Sequence, residues 1–234
     1  MLEEIIRNGF EEWDLPLTED MLRAYRLYCG TLQETNKVMN LTAIEGEDDT
    51  AYLHFLDSAA VLKSIGLSGK SLIDVGTGAG FPGLALKIAC PDLQLTLLDS
   101  LDKRIVFLSR TCRQLGFADV SCIHARAEEI PAGLREHFDV AVSRAVARLQ
   151  LLAELCLPYV KEEGLFVAMK GPDTETELEE ATTAIKKLGG KTEKVLPYTI
   201  PGTDVTHSLI LVRKIGPTPQ NLPRKWAQIK KKPL

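Results

Sequence analysis

Asp74 closes a short apolar run, Leu72-Ile73, and Gly76, Gly78, Gly80 and Gly83 follow within nine residues, before an apolar helical pattern begins. An acid at a strand end, a glycine-dense turn and a helix N-terminus form the arrangement that binds nucleotide-like cofactors. Glycine supplies positive φ or lets the backbone approach a ligand without a Cβ in the way. Pro82 suits the first helical turn, where its missing N–H is no loss. The segment Gly78-x-Gly80-x-x-Gly83 matches the dinucleotide fingerprint, but an acid just ahead of the loop would repel a pyrophosphate. S-adenosyl-L-methionine carries no phosphate. Asp74 can face its ammonium, directly or through water, and the loop can accommodate its carboxylate end. Asp99, 21 positions after Gly78, ends the next apolar run and has the spacing of an acid that meets ribose hydroxyls. These residues read as a methyltransferase cofactor site.

The elements that must position them alternate. Strands are expected at 71–75, 94–98, 119–123, 138–142, 164–169, 191–196 and 207–212, and helices at 82–90, 102–115, 148–160 and 173–188. This pattern predicts an α/β, Rossmann-like class I methyltransferase fold: a seven-stranded, mostly parallel sheet between helical layers. Only a loop with Pro197 and Pro201-Gly202 separates the last two strands, so the final strand is expected to be antiparallel. Residues 1–66 read as an N-terminal helical extension, with Thr18 capping one helix and Asp20 in its first turn. A third helical pattern runs through Tyr52, Phe55, Leu56, Ala59, Ala60 and Leu62. Residues 67–215 would form the methyltransferase domain and 216–234 a basic C-terminal tail.

The 234 residues are 45% hydrophobic and 26% charged, ordinary for a globular protein. No apolar stretch approaches the roughly 20 residues of a membrane span. The acidic, amphipathic start does not read as a signal peptide. Five scattered cysteines without Cys-x-x-Cys spacing read as small buried hydrophobes in a reducing cytoplasm, and the four histidines form no metal pattern. The net charge of −4 is uneven: Arg213 to Leu234 carries seven Lys/Arg and no acid. Such a tail either meets a polyanion or solubilises a disordered terminus.

Asn40-Leu41-Thr42, His54-Phe55-Leu56-Asp57-Ser58, Asp74 to Gly83, Leu98-Asp99-Ser100 with Lys103-Arg104, Ala127-Glu128, Ser143-Arg144-Ala145, Lys170-Gly171, Pro223-Arg224-Lys225 and Lys231-Lys232-Pro233-Leu234 occur in that order. In these blocks, over nearly its whole length, the chain resembles the ribosomal small-subunit methyltransferase G family, also called glucose-inhibited division protein B. The resemblance implies methyl transfer from S-adenosylmethionine to N7 of one guanine in the decoding-region hairpin of 16S rRNA. Its implied partner is the small ribosomal subunit or an assembly precursor, with no metal and no membrane. The tail departs from the family's usual Arg-Lys-x-Gly-x-Pro, because Trp226-Ala227-Gln228 follows Lys225.

Carried over, the cofactor contacts fall on Gly76, Phe81, Ala127, Glu128 and Arg144, beside Asp74, Gly78 and Asp99 from the loop and ribose arguments. Arg144, at a strand's carboxyl end, could donate to the guanine carbonyl, stack on the base or hold the methionine carboxylate. His54 and Asp57, three apart on a helix, can pair. Asn40 and Thr42 read as helix caps. Lys103, Arg104, Arg148, Lys170, Arg224, Lys225, Lys230, Lys231 and Lys232 are the candidate RNA contacts. Ser143-Arg144-Ala145-Val146 is neither the Asn/Asp-Pro-Pro-aromatic motif that suits exocyclic amines nor a cysteine nucleophile for pyrimidine C5. That leaves several target atoms open, and N7 comes from the resemblance alone. A nicotinamide-dependent oxidoreductase and a non-catalytic RNA-binding factor are the rival classes. With no heptad run, a monomer is the default.

Overall fold

The computed structural model describes residues 1–172 and 174–234. Helices α1 (Leu2–Glu12), α2 (Glu19–Met39), α3 (Glu47–Thr50) and α4 (Asp57–Ser64) come first, with a π-helical turn, Ala51–Leu56, joining α3 to α4. Thr18 caps α2 by accepting from Met21 N–H, and Asn40 ends it in the left-handed region. Alternation then follows: β1 (Ser71–Val75), α5 (Gly83–Ala89), β2 (Gln94–Asp99), α6 (Asp102–Gln114), β3 (Ser121–His124), β4 (Phe138–Arg144), α7 (Leu149–Cys156), β5 (Val160–Lys170), α8 (Thr174–Lys187), β6 (Gly190–Thr199), β7 (Thr206–Lys214) and α9 (Trp226–Lys231).

The sheet order is β3-β2-β1-β4-β5-β7-β6. Strands β1 to β5 pair in parallel, and β7 runs antiparallel between β5 and β6. The expected fold class is therefore the one found. From β1 the chain winds outward to β3, then returns to place β4 on the other side of β1. Ligands gather at the carboxyl ends of strands at such a reversal.

One core lies on each face. The first packs Ile6, Phe10, Tyr25, Tyr28 and Phe55 from the N-terminal helices against Leu84, Leu97 and Leu108. Tyr25 and Tyr28 hydroxyls donate to Ala85 O and Ala79 O, so the N-terminal helices are tied to the glycine-loop region. The second core sets α7, α8 and Ile229 of α9 against the opposite face.

Two boundaries differ by four residues from the periodicity reading. The helix expected over 148–160 stops at Cys156, and a 3-10 turn, Leu157–Tyr159, leads directly into β5. Pro158 has no N–H to continue the helix. Strand β5 starts at Val160, four residues early, because its exposed Lys161-Glu162-Glu163 hides the strand from an apolar count. The tail does not hang free. Ile229 is fully buried, and Arg224 forks onto the buried Glu154 carboxylate at 2.6 Å and 2.9 Å.

Candidate cofactor and substrate cavity

A cavity of about 490 Å³ opens at the carboxyl ends of the strands around the reversal. It is walled in turn by the loops after β1, β2, β3 and β4, with Thr42, His54, Leu155 and Trp226 added from outside the sheet. Each loop comes from the carboxyl end of a parallel strand, so register along the sheet fixes the order of groups in the wall.

The glycine loop is held from behind. Asp74 is completely buried and does not line the cavity. Its Oδ2 accepts from Thr77 Oγ1 at 2.7 Å and from Gly83 N–H at 2.8 Å, while Oδ1 has no partner. Burial pushes this carboxyl up to about 6, against the pull of those two hydrogen bonds. The acid expected to face an ammonium therefore braces the loop from behind, with one oxygen left unsatisfied. A Cβ on Gly83 would sit 2.8 Å from Asp74 Oδ2, which explains glycine at the helix start. Gly78 has φ +61°, and a Cβ there would meet no protein atom within 4 Å, so this position borders the open cavity.

Asp99 lies on the wall. It accepts from Gly78 N–H and Leu101 N–H, each at 2.9 Å, and from Arg104 Nη1 at 3.2 Å. Arg104, expected from sequence among the RNA contacts, belongs to this cavity. Ala127 and Glu128 form a short 3-10 turn, Ala127–Glu129, after β3, and both line the wall. Phe81 is only 4% exposed. It stacks with His54 at 4.1 Å between centroids and with Tyr28 at 5.1 Å, so little of it reaches the cavity.

Arg144 is engaged inside the protein. Its Nη1 donates to Asp57 Oδ2 at 2.7 Å and to Leu53 O at 2.8 Å, and its Nη2 lies 2.7 Å from His54 Nδ1. The π-helical turn permits this, since Asp57 N–H is directed at Tyr52 O and His54 O rather than at Leu53 O. Asp57 Oδ1 takes Tyr198 Oη at 2.7 Å and His207 Nδ1 at 2.8 Å. Burial alone would raise the Asp57 carboxyl, but His207 and Arg144 outweigh it and hold it below its usual value. The expected His54–Asp57 pair does not form directly; both residues bind Arg144. Thr42 caps no helix. Its Oγ1 lies 3.0 Å from His54 Nε2 on the cavity wall. Sequence reasoning missed Tyr198, His207 and Trp226, because no local spacing links them to the glycine loop.

Of the RNA candidates, Lys170 donates to Ala147 O and Glu177, Arg148 pairs with Glu180, and Arg224 with Glu154. Among the tail cations, Lys214 is buried against Glu136 and Arg213 pairs with Glu193. Lys225, Lys230, Lys231 and Lys232 are exposed and form no ion pair among the described residues. Lys103 is also exposed and makes only a 3.4 Å contact to Met39 O. Among the described residues there is no cluster of metal-ligating side chains and no helix long and apolar enough to cross a membrane.

The cavity suits S-adenosylmethionine better than a dinucleotide. Asp74 behind the glycine loop and Asp99 on the wall would repel a pyrophosphate, and the nearby Arg104 and Arg144 are already paired with acids. Comparison with known proteins agrees. The model of a family described as rRNA small subunit methyltransferase G matches residues 21–201. A protein of Alkaliphilus oremlandii named Ribosomal RNA small subunit methyltransferase G is 44% identical, covering 100% of this chain and 99% of its own. A namesake from Lachnoclostridium phytofermentans is 45% identical over 97% of this chain and 95% of its own. Among solved structures, M. jannaschii TYW2 in complex with AdoMet superposes with a TM-score of 0.56 at 14% identity, covering 69% of this chain and 76% of that one. That likeness concerns the fold alone.

Proposed function

Because the chain belongs to the rRNA small subunit methyltransferase G family, whose members are S-adenosylmethionine-dependent methyltransferases, we propose that it methylates N7 of a single guanine in the decoding-region hairpin of 16S rRNA. One observation supports this target above others. At the β4 end of the cavity, no described side chain is free to act as a base. His54 Nδ1 is taken by Arg144, and Asp57 is saturated by Arg144, Tyr198 and His207. Guanine N7 carries an in-plane lone pair and needs no deprotonation, whereas an exocyclic amine or a hydroxyl must lose a proton.

S-adenosylmethionine supplies an electrophilic methyl group on a sulfonium. The chain's residues bind, orient and exclude water, and orientation alone can supply much of the acceleration. Asp99 offers its carboxylate to the ribose hydroxyls. Ala127 and Glu128 line the adenine end, with Leu155 and Trp226 as its apolar wall. Asp74 supplies counter-charge to the ammonium from behind the loop. Arg144 holds the π-helical turn, and hence His54 and Thr42, against the end of β4. Exposed lysines of the tail, with Lys103, meet RNA phosphates.

The decisive experiment is transfer from labelled S-adenosylmethionine to small subunits lacking the modification, with the product nucleotide mapped. Label at N7 of one guanine in that hairpin is the expected result. Label on an exocyclic amine, or at another nucleotide, overturns the assignment. In the Gly78→Arg variant the new side chain fills the cavity, so cofactor binding and turnover should both disappear while the protein stays folded. Retained turnover would remove the loop from the site.

A further inference from the structure

We propose that Thr42 is a specificity-determining residue: its hydroxyl donates to the O6 carbonyl of the target guanine and thereby selects guanine over adenine. This deepens the guanine-N7 reading and rests on it.

The donor sense follows from a fixed chain of hydrogen bonds. Arginine has donors and no acceptor. Nη2 of Arg144 lies 2.7 Å from His54 Nδ1, so that nitrogen carries the lone pair. The neutral ring must then bear its proton on Nε2. The ring is neutral because burial, together with the Arg144 charge, pushes its pKa down to about 3. Nε2–H therefore donates to Thr42 Oγ1 at 3.0 Å. Ile44 N–H donates to the same oxygen at 3.1 Å. A hydroxyl has two acceptor sites and one donor. Both acceptor sites are filled, so Thr42 can offer a ligand only its proton, and Thr42 lines the cavity.

The loop is also held rigid. Asn36 Oδ1 accepts from Leu41 N–H and Thr42 N–H, and Asn36 Nδ2 donates to Thr42 O at 2.9 Å. The Thr42 backbone is therefore fixed, and its hydroxyl is held by His54 and Ile44. Guanine presents N7 and O6 as neighbouring acceptors on one edge, whereas adenine presents N7 beside an N6 amine donor. A fixed donor accepts the first pattern and opposes the second. With N7 reserved for the methyl, O6 is the acceptor left on that edge. Arg144, a candidate for this contact by sequence, has three of its five donors directed at Leu53, Asp57 and His54, and its influence reaches the base through Thr42.

The test pairs Thr42→Val and Thr42→Ser with reconstituted subunits bearing guanine, inosine or 2-aminopurine at the target nucleotide. Inosine keeps O6 and N7; 2-aminopurine keeps N7 and lacks O6. Thr42→Val should lower kcat/KM on guanine about 10- to 100-fold, the effect of losing one hydrogen bond and leaving a buried acceptor unpaired. Thr42→Ser should remain within about threefold of wild type, since it keeps the hydroxyl. Cofactor affinity should stay unchanged in both. Wild type should accept inosine but lose a similar factor on 2-aminopurine. Thr42→Val and 2-aminopurine together should lose no more than either alone, because they delete the same bond. A merely structural role would give losses that multiply, and that result overturns the proposal. Undiminished activity of Thr42→Val on guanine would overturn it too. If wild type binds S-adenosylmethionine but leaves guanine N7 unmethylated, the functional reading itself falls, which is a distinguishable result.

Discussion

Asp74 holds an unpartnered oxygen in full burial, and its carboxyl is raised by that burial to about 6. A ligand ammonium favours the ionised form. Affinity for S-adenosylmethionine should therefore fall as pH drops through about 6, and Asp74→Asn should bind weakly with no such step; calorimetric titration from acid to neutral pH reads both. His207 is raised above 6.5, chiefly by its hydrogen bond to Asp57. Its contribution to stability is fully present below 6.5 and is lost as pH rises through the raised value. Asp57, held low, loses its own contribution only in stronger acid, below 3.8. The stability gap between wild type and His207→Gln should thus narrow with rising pH in urea titrations. Asp74, Asp99 and Arg144 are legible in the sequence because each lies at or next to the end of a strand, just after its apolar run. The partners of Arg144 and Asp57 are not, since they lie 87 to 150 positions away and are joined only by the fold.

At the level of elements, the alternation of apolar runs is enough to give the sheet and its antiparallel ending, because buried parallel strands are almost uniformly apolar. The π-helical turn has no such trace. Its sequence, Ala-Tyr-Leu-His-Phe-Leu, continues the helical period, and only the hydrogen bond from Arg144 to Leu53 O shows why the turn widens. The junction between β1 and α5 is equally tight. A methyl group at Gly83 would press on both Asp74 Oδ2 and Leu97 Cδ2 at 2.8 Å. Gly83→Ala should cost about 1–3 kcal/mol of unfolding free energy, as overpacked sites do. Its cofactor affinity should fall as well, because the acceptor that braces the loop is displaced. An unchanged urea midpoint would mean that the junction relaxes freely.

For the molecule as a whole, the charge count suggests a tail carrying seven cations; the fold withdraws Arg213, Lys214 and Arg224 into ion pairs and leaves four exposed lysines. Replacing Lys225, Lys230, Lys231 and Lys232 with glutamine should flatten the salt dependence of rRNA binding by about 0.7–0.9 in log–log slope for each phosphate no longer neutralised. Cofactor affinity should not change. Deleting residues 224–234 is a different experiment. The sequence alone suggests that it would spare the cofactor, but Trp226 lines the cavity and Ile229 is buried in the second core. The truncation should therefore weaken both ligands, and quenching of Trp226 fluorescence by S-adenosylmethionine would report its contact directly. The placement of Trp226 also orders events during synthesis. All seven strands, the glycine loop and Arg144 are translated before the last wall of the cavity. A nascent chain thus holds every strand of its sheet before it holds the side chain that closes the cofactor pocket.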